Sequence, residues 1–95
     1  MKPIIDDQAS DDLDKIYAWI AKDRPAAADA VVDRILAAIA NLARLPHMGH
    51  AGRVAGTFEW VVRSLPYIIV YEIVRERNEL IVIGVFHGAQ EKRRP

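Results

Sequence analysis

Cysteine is absent from this chain, which excludes disulfide staples, thiolate nucleophiles and thiolate metal ligands, and suits a reducing compartment. Long apolar runs are missing too. No segment approaches the roughly 18 consecutive apolar residues of a bilayer-spanning helix, and the opening Met1-Lys2-Pro3-Ile4-Ile5-Asp6-Asp7 lacks the apolar core of a signal peptide. A cytoplasmic protein is therefore expected, with no membrane partner. Nor is charge of one sign in excess, since 13 Lys and Arg face 13 Asp and Glu. Phosphate binding wants a basic surplus, so the chain alone is not expected to bind duplex DNA. The five glycines form no phosphate-cradling loop, and no internal repeat, linker or low-complexity stretch is found.

What remains is a chain of 95 residues, 52% of them hydrophobic. That length makes one domain, 1–95, and that apolar content supplies the core a domain so small needs. Charge is unevenly spread: residues 1–48 hold eight acids and six bases, residues 49–95 five acids and seven bases, and Lys92-Arg93-Arg94 stand near the end. This basic tail reads either as a solvated end or as a contact for an acidic partner or RNA.

Pro3-Ile4-Ile5 predicts a short strand at a sheet edge, where proline is tolerated. Asp6, Asp7 and Ser10 are candidate helix N-caps, and Asp11, Asp12 and Asp14 suit the positive end of a helix dipole. Ala9, Leu13, Ile16, Tyr17 and Ile20 recur on one helical face, predicting a helix over 8–22. Pro25 suits the first turn of a second helix, whose buried stripe is Val31, Ile35, Ile39 and Leu42, widened by Ala28, Val32 and Leu36. It should stop near Leu45-Pro46. After a loop at 46–52 the pattern becomes extended, with strands at 57–65, 67–74 and 80–87 and turns at Pro66 and Glu76-Arg77-Asn78. Short turns between three strands give an antiparallel meander. The expected fold is α+β in the order β-α-α-β-β-β, an αα-hairpin packed on an antiparallel sheet.

That sheet is unbalanced. Strand 67–74 places Tyr67, Ile69, Tyr71 and Ile73 on one face and Ile68, Val70, Glu72 and Val74 on the other. Strand 80–87 places Ile81, Ile83 and Val85 on one face and Leu80, Val82 and Phe86 on the other. Strands apolar on both faces should be covered on both, yet a single αα-hairpin covers one. Either the sheet curls so that loop 46–56 and the C-terminal tail shield its far side, or that side is an apolar patch awaiting a partner.

Few residues invite chemistry. His47 and His50 flank Met48-Gly49 without a third ligand, so no metal and no cofactor is expected. Trp19 and Trp60 read as core or rim residues. Glu59 and Arg63 share a strand face and can pair. His87, ending the last strand before Gly88-Ala89, is the one candidate general base for RNA cleavage. Such scission also needs a cation aimed at the phosphate. Arg63 is the candidate, and no tyrosine follows Tyr71.

Several segments together resemble the RelE/ParE toxin superfamily. Ala9-Ser10-Asp11-Asp12-Leu13-Asp14-Lys15-Ile16-Tyr17-Ala18-Trp19-Ile20 is similar to its first helix, "A..DL..I..YI". Ile39, Leu42, Leu45-Pro46 and Gly49 resemble the end of its second helix, and Gly56-Thr57-Phe58-Glu59-Trp60-Val61-Val62 the strand that follows. Leu65-Pro66-Tyr67-Ile68-Ile69-Val70-Tyr71-Glu72-Ile73-Val74 resembles "PY.I.Y.V", and Val85-Phe86-His87-Gly88-Ala89 resembles "V.HGAR". The match runs over nearly the whole chain in one order.

The resemblance implies a small cytoplasmic toxin neutralised by a cognate antitoxin, whose C-terminal segment wraps the toxin and whose N-terminal part is often a ribbon-helix-helix DNA binder. ParE-like members block DNA gyrase without being enzymes, whereas RelE-like members cut mRNA on the ribosome. Those ribonucleases carry Arg where Ile68 stands, and often a functional C-terminal Tyr. ParE-like members carry Arg where Phe58 and Gln90 stand. The expected function is therefore a ParE-like gyrase inhibitor. The alternatives are a ribosome-dependent mRNA endonuclease using His87 and Arg63, and a degenerate member that binds antitoxin without toxicity. The residues expected to meet a partner are Ile68, Val70, Val74, Phe58, Trp60, Lys92, Arg93 and Arg94.

Overall fold

A computed structural model describes residues 1–89. The first strand, β1 (Lys2–Ile5), runs into helix α1 (Asp7–Ala21). Of the candidate caps Asp6 takes the role, its carboxylate accepting the Ala9 N–H at 2.9 Å. Helix α2 (Pro25–Arg44) has its proline in the first turn, and its chain breaks at Leu45-Pro46 into a 3-10 turn, Pro46–Met48. Then come β2 (His50–Ala51), β3 (Phe58–Val61), β4 (Tyr67–Val74), a 3-10 turn Arg75–Arg77 and β5 (Glu79–His87). Asn78 closes that turn in the left-handed conformation, φ 52°, which asparagine tolerates better than most residues.

The five strands form one sheet in the order β1-β5-β4-β3-β2. β3, β4 and β5 make the expected antiparallel meander. β1 is an edge strand, as its proline required, but it lies parallel to β5, so the sheet is mixed rather than wholly antiparallel. β2 was not foreseen, because two residues carry no readable period. β3 is shorter than the expected 57–65, ending before a turn in which Ser64 takes a positive φ of 62°.

Both helices pack on the same side. Ala9 and Leu13 of α1, and Ile35, Ile39 and Leu42 of α2, close over Tyr67, Ile69 and Tyr71 of β4 and Leu80, Val82 and Val85 of β5. This corrects the expected facing of β5, which set Val85 opposite Leu80 and Val82. Val70 is opposite Gly84 while Tyr71 is opposite Val82, so Ile83 is an extra residue, a β-bulge. A bulge inverts the alternation beyond it, which puts Val85 on the helix side with Leu80 and Val82. Ile81 and Phe86 then fall on the far side.

Candidate functional site

The far face of the sheet is the candidate site. Its rows follow from the register. Val61, Ile68 and Phe86 are aligned across β3, β4 and β5, and Glu72, Ile81 and Ile4 across β4, β5 and β1. Ile68, Val70, Glu72, Val74, Ile81 and Phe86 are each half-buried, and Val61 is 53% exposed. Neither helix packs over the centre of this side, and only Phe86, near the end of β5, also lines the groove beside α1. The apolar rows read from the sequence are therefore present on the side away from the helix-packed core.

Not all of the expected partner residues lie there. Ile68, Val70 and Val74 do. Phe58 and Trp60 do not, because they oppose Tyr71 and Ile69 and so point toward the helices, packed against the core. Phe58 stacks on Tyr71 with ring centroids 5.5 Å apart and planes at 20°, and the His47 ring meets its edge at 6.1 Å. The sequence missed this because strand 57–65 was not aligned with its neighbour. Lys92, Arg93 and Arg94, with Gln90, lie outside the described residues.

His87 does not meet Arg63. The His87 ring stands edge-on to Tyr67, centroids 5.5 Å apart, and its Nδ1 accepts the Ala89 N–H at 3.1 Å, which leaves the proton of the neutral ring on Nε2. It lines a groove of about 540 Å³ beside α1, with Asp12, Lys15, Trp19, Tyr67 and Phe86 among the other walls and Arg63 not among them. Arg63 is exposed in the turn after β3, where its backbone carbonyl accepts a hydrogen bond from the Arg34 guanidinium. The expected Glu59–Arg63 pairing is replaced by a loop contact, in which Glu59, buried, accepts the Arg53 N–H at 3.2 Å.

The two loop histidines are otherwise engaged. The Arg75 guanidinium can only donate, so His47 Nε2 accepts from it at 2.7 Å. His50 Nδ1 lies 3.1 Å from the Ala51 carbonyl. Among the described residues no group of three or more His, Cys, Asp or Glu is placed to hold a metal. Trp19 is 72% exposed, with the Lys22 ammonium 5.5 Å from its ring centroid.

Three placements escaped the sequence reading. Tyr71 is buried, and its hydroxyl donates to the Pro46 carbonyl at 2.7 Å while receiving the Gly49 N–H at 3.2 Å, which pins the loop after α2. Burial pushes the Tyr71 phenol above its ordinary pKa, and the Gly49 hydrogen bond partly offsets this. Asp12, read as a helix-dipole acid, reaches from α1 to accept the Val85 N–H at 2.9 Å. An isolated glycine inside an apolar strand, Gly84, was the available sign of the bulge beside that contact. Glu72 was read on one face with Ile68, Val70 and Val74, and the structure puts that face on the side away from the helices.

Two helices on one face of a mixed five-stranded sheet is a fold shared with solved bacterial toxins. The chain superposes on the chromosomal ParDE toxin–antitoxin system of P. aeruginosa with a TM-score of 0.81 at 19% identity, covering 92% of this chain and 95% of that one. It superposes on the intact RelBE toxin–antitoxin complex of E. coli with 0.67 at 16%, covering 88% and 92%. For the RelBE2 complex of Mycobacterium tuberculosis the TM-score is 0.62 at 27%, covering 90% and 95%. In sequence, the provisionally named toxin Y4kP of Sinorhizobium fredii is 43% identical over 79 residues, 83% of this chain and 79% of the relative. The model of the ParE toxin of the type II toxin–antitoxin system parDE matches residues 4–92, and the chain belongs to that family.

Proposed function

We propose that this toxin acts by binding rather than by cutting RNA: it inhibits DNA gyrase, and a cognate antitoxin neutralises it by covering the far face of the sheet. The observation that carries the non-enzymatic reading is the setting of Ile68. Where ribonuclease members of the superfamily carry arginine, this chain has an aliphatic residue in an apolar row between Val61 and Phe86. Among the described residues, the one cationic neighbour of His87 in its groove is Lys15, whose ammonium pairs with Asp11 at 2.9 Å. A developing phosphorane would lack the preorganised charge that scission needs.

The antitoxin reading is supported by the half-buried apolar rows of the far face and by the fold shared with the ParDE and RelBE toxin–antitoxin systems. The test is purified protein in two assays, gyrase supercoiling and cleavage of ribosome-bound mRNA. Loss of supercoiling with intact mRNA is expected. Site-specific mRNA cleavage abolished by His87→Ala would overturn the proposal in favour of a ribonuclease. Antitoxin binding with neither activity would identify a degenerate member, consistent with Phe58 being committed to the Tyr71 stack.

A further inference from the structure

Among the described residues, Glu72 is the one far-face carboxylate that no hydrogen bond or ion pair engages. It sits mid-strand in β4, half-buried, with Val70 and Val74 two residues away on the same side and Ile81 opposite. The other acids nearby are engaged, Glu59 by the Arg53 N–H at 3.2 Å and Glu79 by Arg77 at 2.9 Å. Among the described residues no hydrogen bond or ion pair reaches Glu72. In the free chain this is tolerable, because water still touches the carboxylate. Once an apolar segment covers the face, that water is lost, and an unpaired charge is among the most unfavourable groups to bury.

We propose that the antitoxin segment covering this face carries a lysine or arginine that pairs with Glu72, set between apolar residues that cover Ile68, Val70 and Ile81. This rests on the antitoxin reading above and specifies the partner's chemistry. A second copy of this chain fits less well, because among the described residues its own far face brings no cation to the centre of the patch. Among the described residues, Lys2 lies at the rim opposite Glu79 and Arg77 is held by that same Glu79 at 2.9 Å. The pairing also gives specificity: an apolar segment with an acid or no charge at that position leaves Glu72 buried and unpaired, which selects against the wrong antitoxin.

The test uses the full chain and the polypeptide encoded by the short reading frame adjoining its gene, with Kd measured by calorimetry. Glu72→Gln should raise Kd by roughly 30-fold or more, the usual effect of truncating one partner of a buried charge pair. Glu72→Lys should raise it further, and exchanging the partner's basic residue for Glu should restore binding to Glu72→Lys. An unchanged or lower Kd for Glu72→Gln overturns the proposal. So does loss of the Glu72 effect when Lys92, Arg93 and Arg94 are replaced by Ala, which would make the chain's own tail the source of the cation. Ile68→Asp separates the two levels. If it abolishes binding while Glu72→Gln does not, only the pairing fails; if neither changes Kd, the face is not where the antitoxin sits. Should Ile68→Asp not fold, Val61→Asp at the more exposed end of the same row serves instead.

Discussion

Asp12 of α1 and Val85 of β5 are joined by a hydrogen bond of 2.9 Å, the Val85 N–H donating to the Asp12 carboxylate across 73 positions of sequence. It answers a local problem. The bulge at Ile83 interrupts the ladder beside it, and a partly buried backbone N–H needs an acceptor. Asp12→Ala should cost about 1–3 kcal/mol, a fall in Tm of about 4–8 °C for each kcal/mol in a domain of this size. Asp12→Asn, which keeps a carbonyl acceptor, should retain much of the stability. Thermal melting of both variants checks this, and equal losses would mean that the carboxylate's charge matters more than its acceptor.

The Tyr71 hydroxyl serves two backbone groups, so Tyr71→Phe leaves both the Pro46 carbonyl and the Gly49 N–H short of a partner. A loss of about 1–3 kcal/mol is expected, with faster amide exchange at Gly49. Gly49→Ala attacks the same contact from the other side, because a Cβ there would stand 2.5 Å from the Tyr71 oxygen and 2.8 Å from the Glu59 carbonyl oxygen. Denaturant unfolding should rank Gly49→Ala at least as damaging as Tyr71→Phe.

Ile69 and Val70 are adjacent and face opposite sides of β4. Ile69 is fully buried against the helices, so Ile69→Ala should cost about 2–5 kcal/mol in the free protein. Val70→Ala should cost distinctly less in the free protein and should weaken the antitoxin complex instead, as truncating an anchor does. Melting each variant free and bound separates the two roles. Equal destabilisation of the free protein would mean that the far face is already closed within the monomer.

Alkaline pH should weaken the fold through its tyrosines. Burial raises the phenols of Tyr67 and Tyr71, and a hydrogen bond to Asp29 raises that of Tyr17. In each case the folded state holds the proton more tightly than the unfolded chain. The resulting stabilisation is complete below the ordinary tyrosine pKa of about 10 and is lost as pH rises through the higher folded value. Ultraviolet titration should show all three phenols ionising late, and Asp29→Asn should return only Tyr17 to its ordinary range.

The helices were legible because their signals are local. The spacing of Leu13 and Ile16, and of Ile35, Ile39 and Leu42, reports a face, and Pro25 and Pro46 mark the limits of α2. The meander was legible from alternation and short turns. The bulge at Ile83 was not recognised, because Gly84 alone does not say which way a register shifts, and the facing of Val85 was misread with it. The facing of Phe58 was not legible, since a strand's period gives two faces but not which is inward until its neighbour is aligned, whereas Trp60 packs against the core as a core or rim residue should. The separation of His87 from Arg63 was beyond reach, because it depends on where β3 ends and how the Ser64 turn leaves the sheet. The far-face surplus was readable because it required only counting apolar faces against the helices available to cover them.

β5 lies between β1 and β4 and follows every other described element in sequence. The strand that opens the chain therefore has no neighbour to join until the strand that completes the sheet has been made. The pairing of Lys2–Ile5 with β5 spans most of the chain, and such long closures come late in folding. During synthesis the two helices can form early, but the far face, which takes Ile81 and Phe86 from β5, has no complete surface to offer. If the antitoxin covers the far face as proposed, it meets no complete surface until β5 has been made, and a chain broken before β5 lacks that surface.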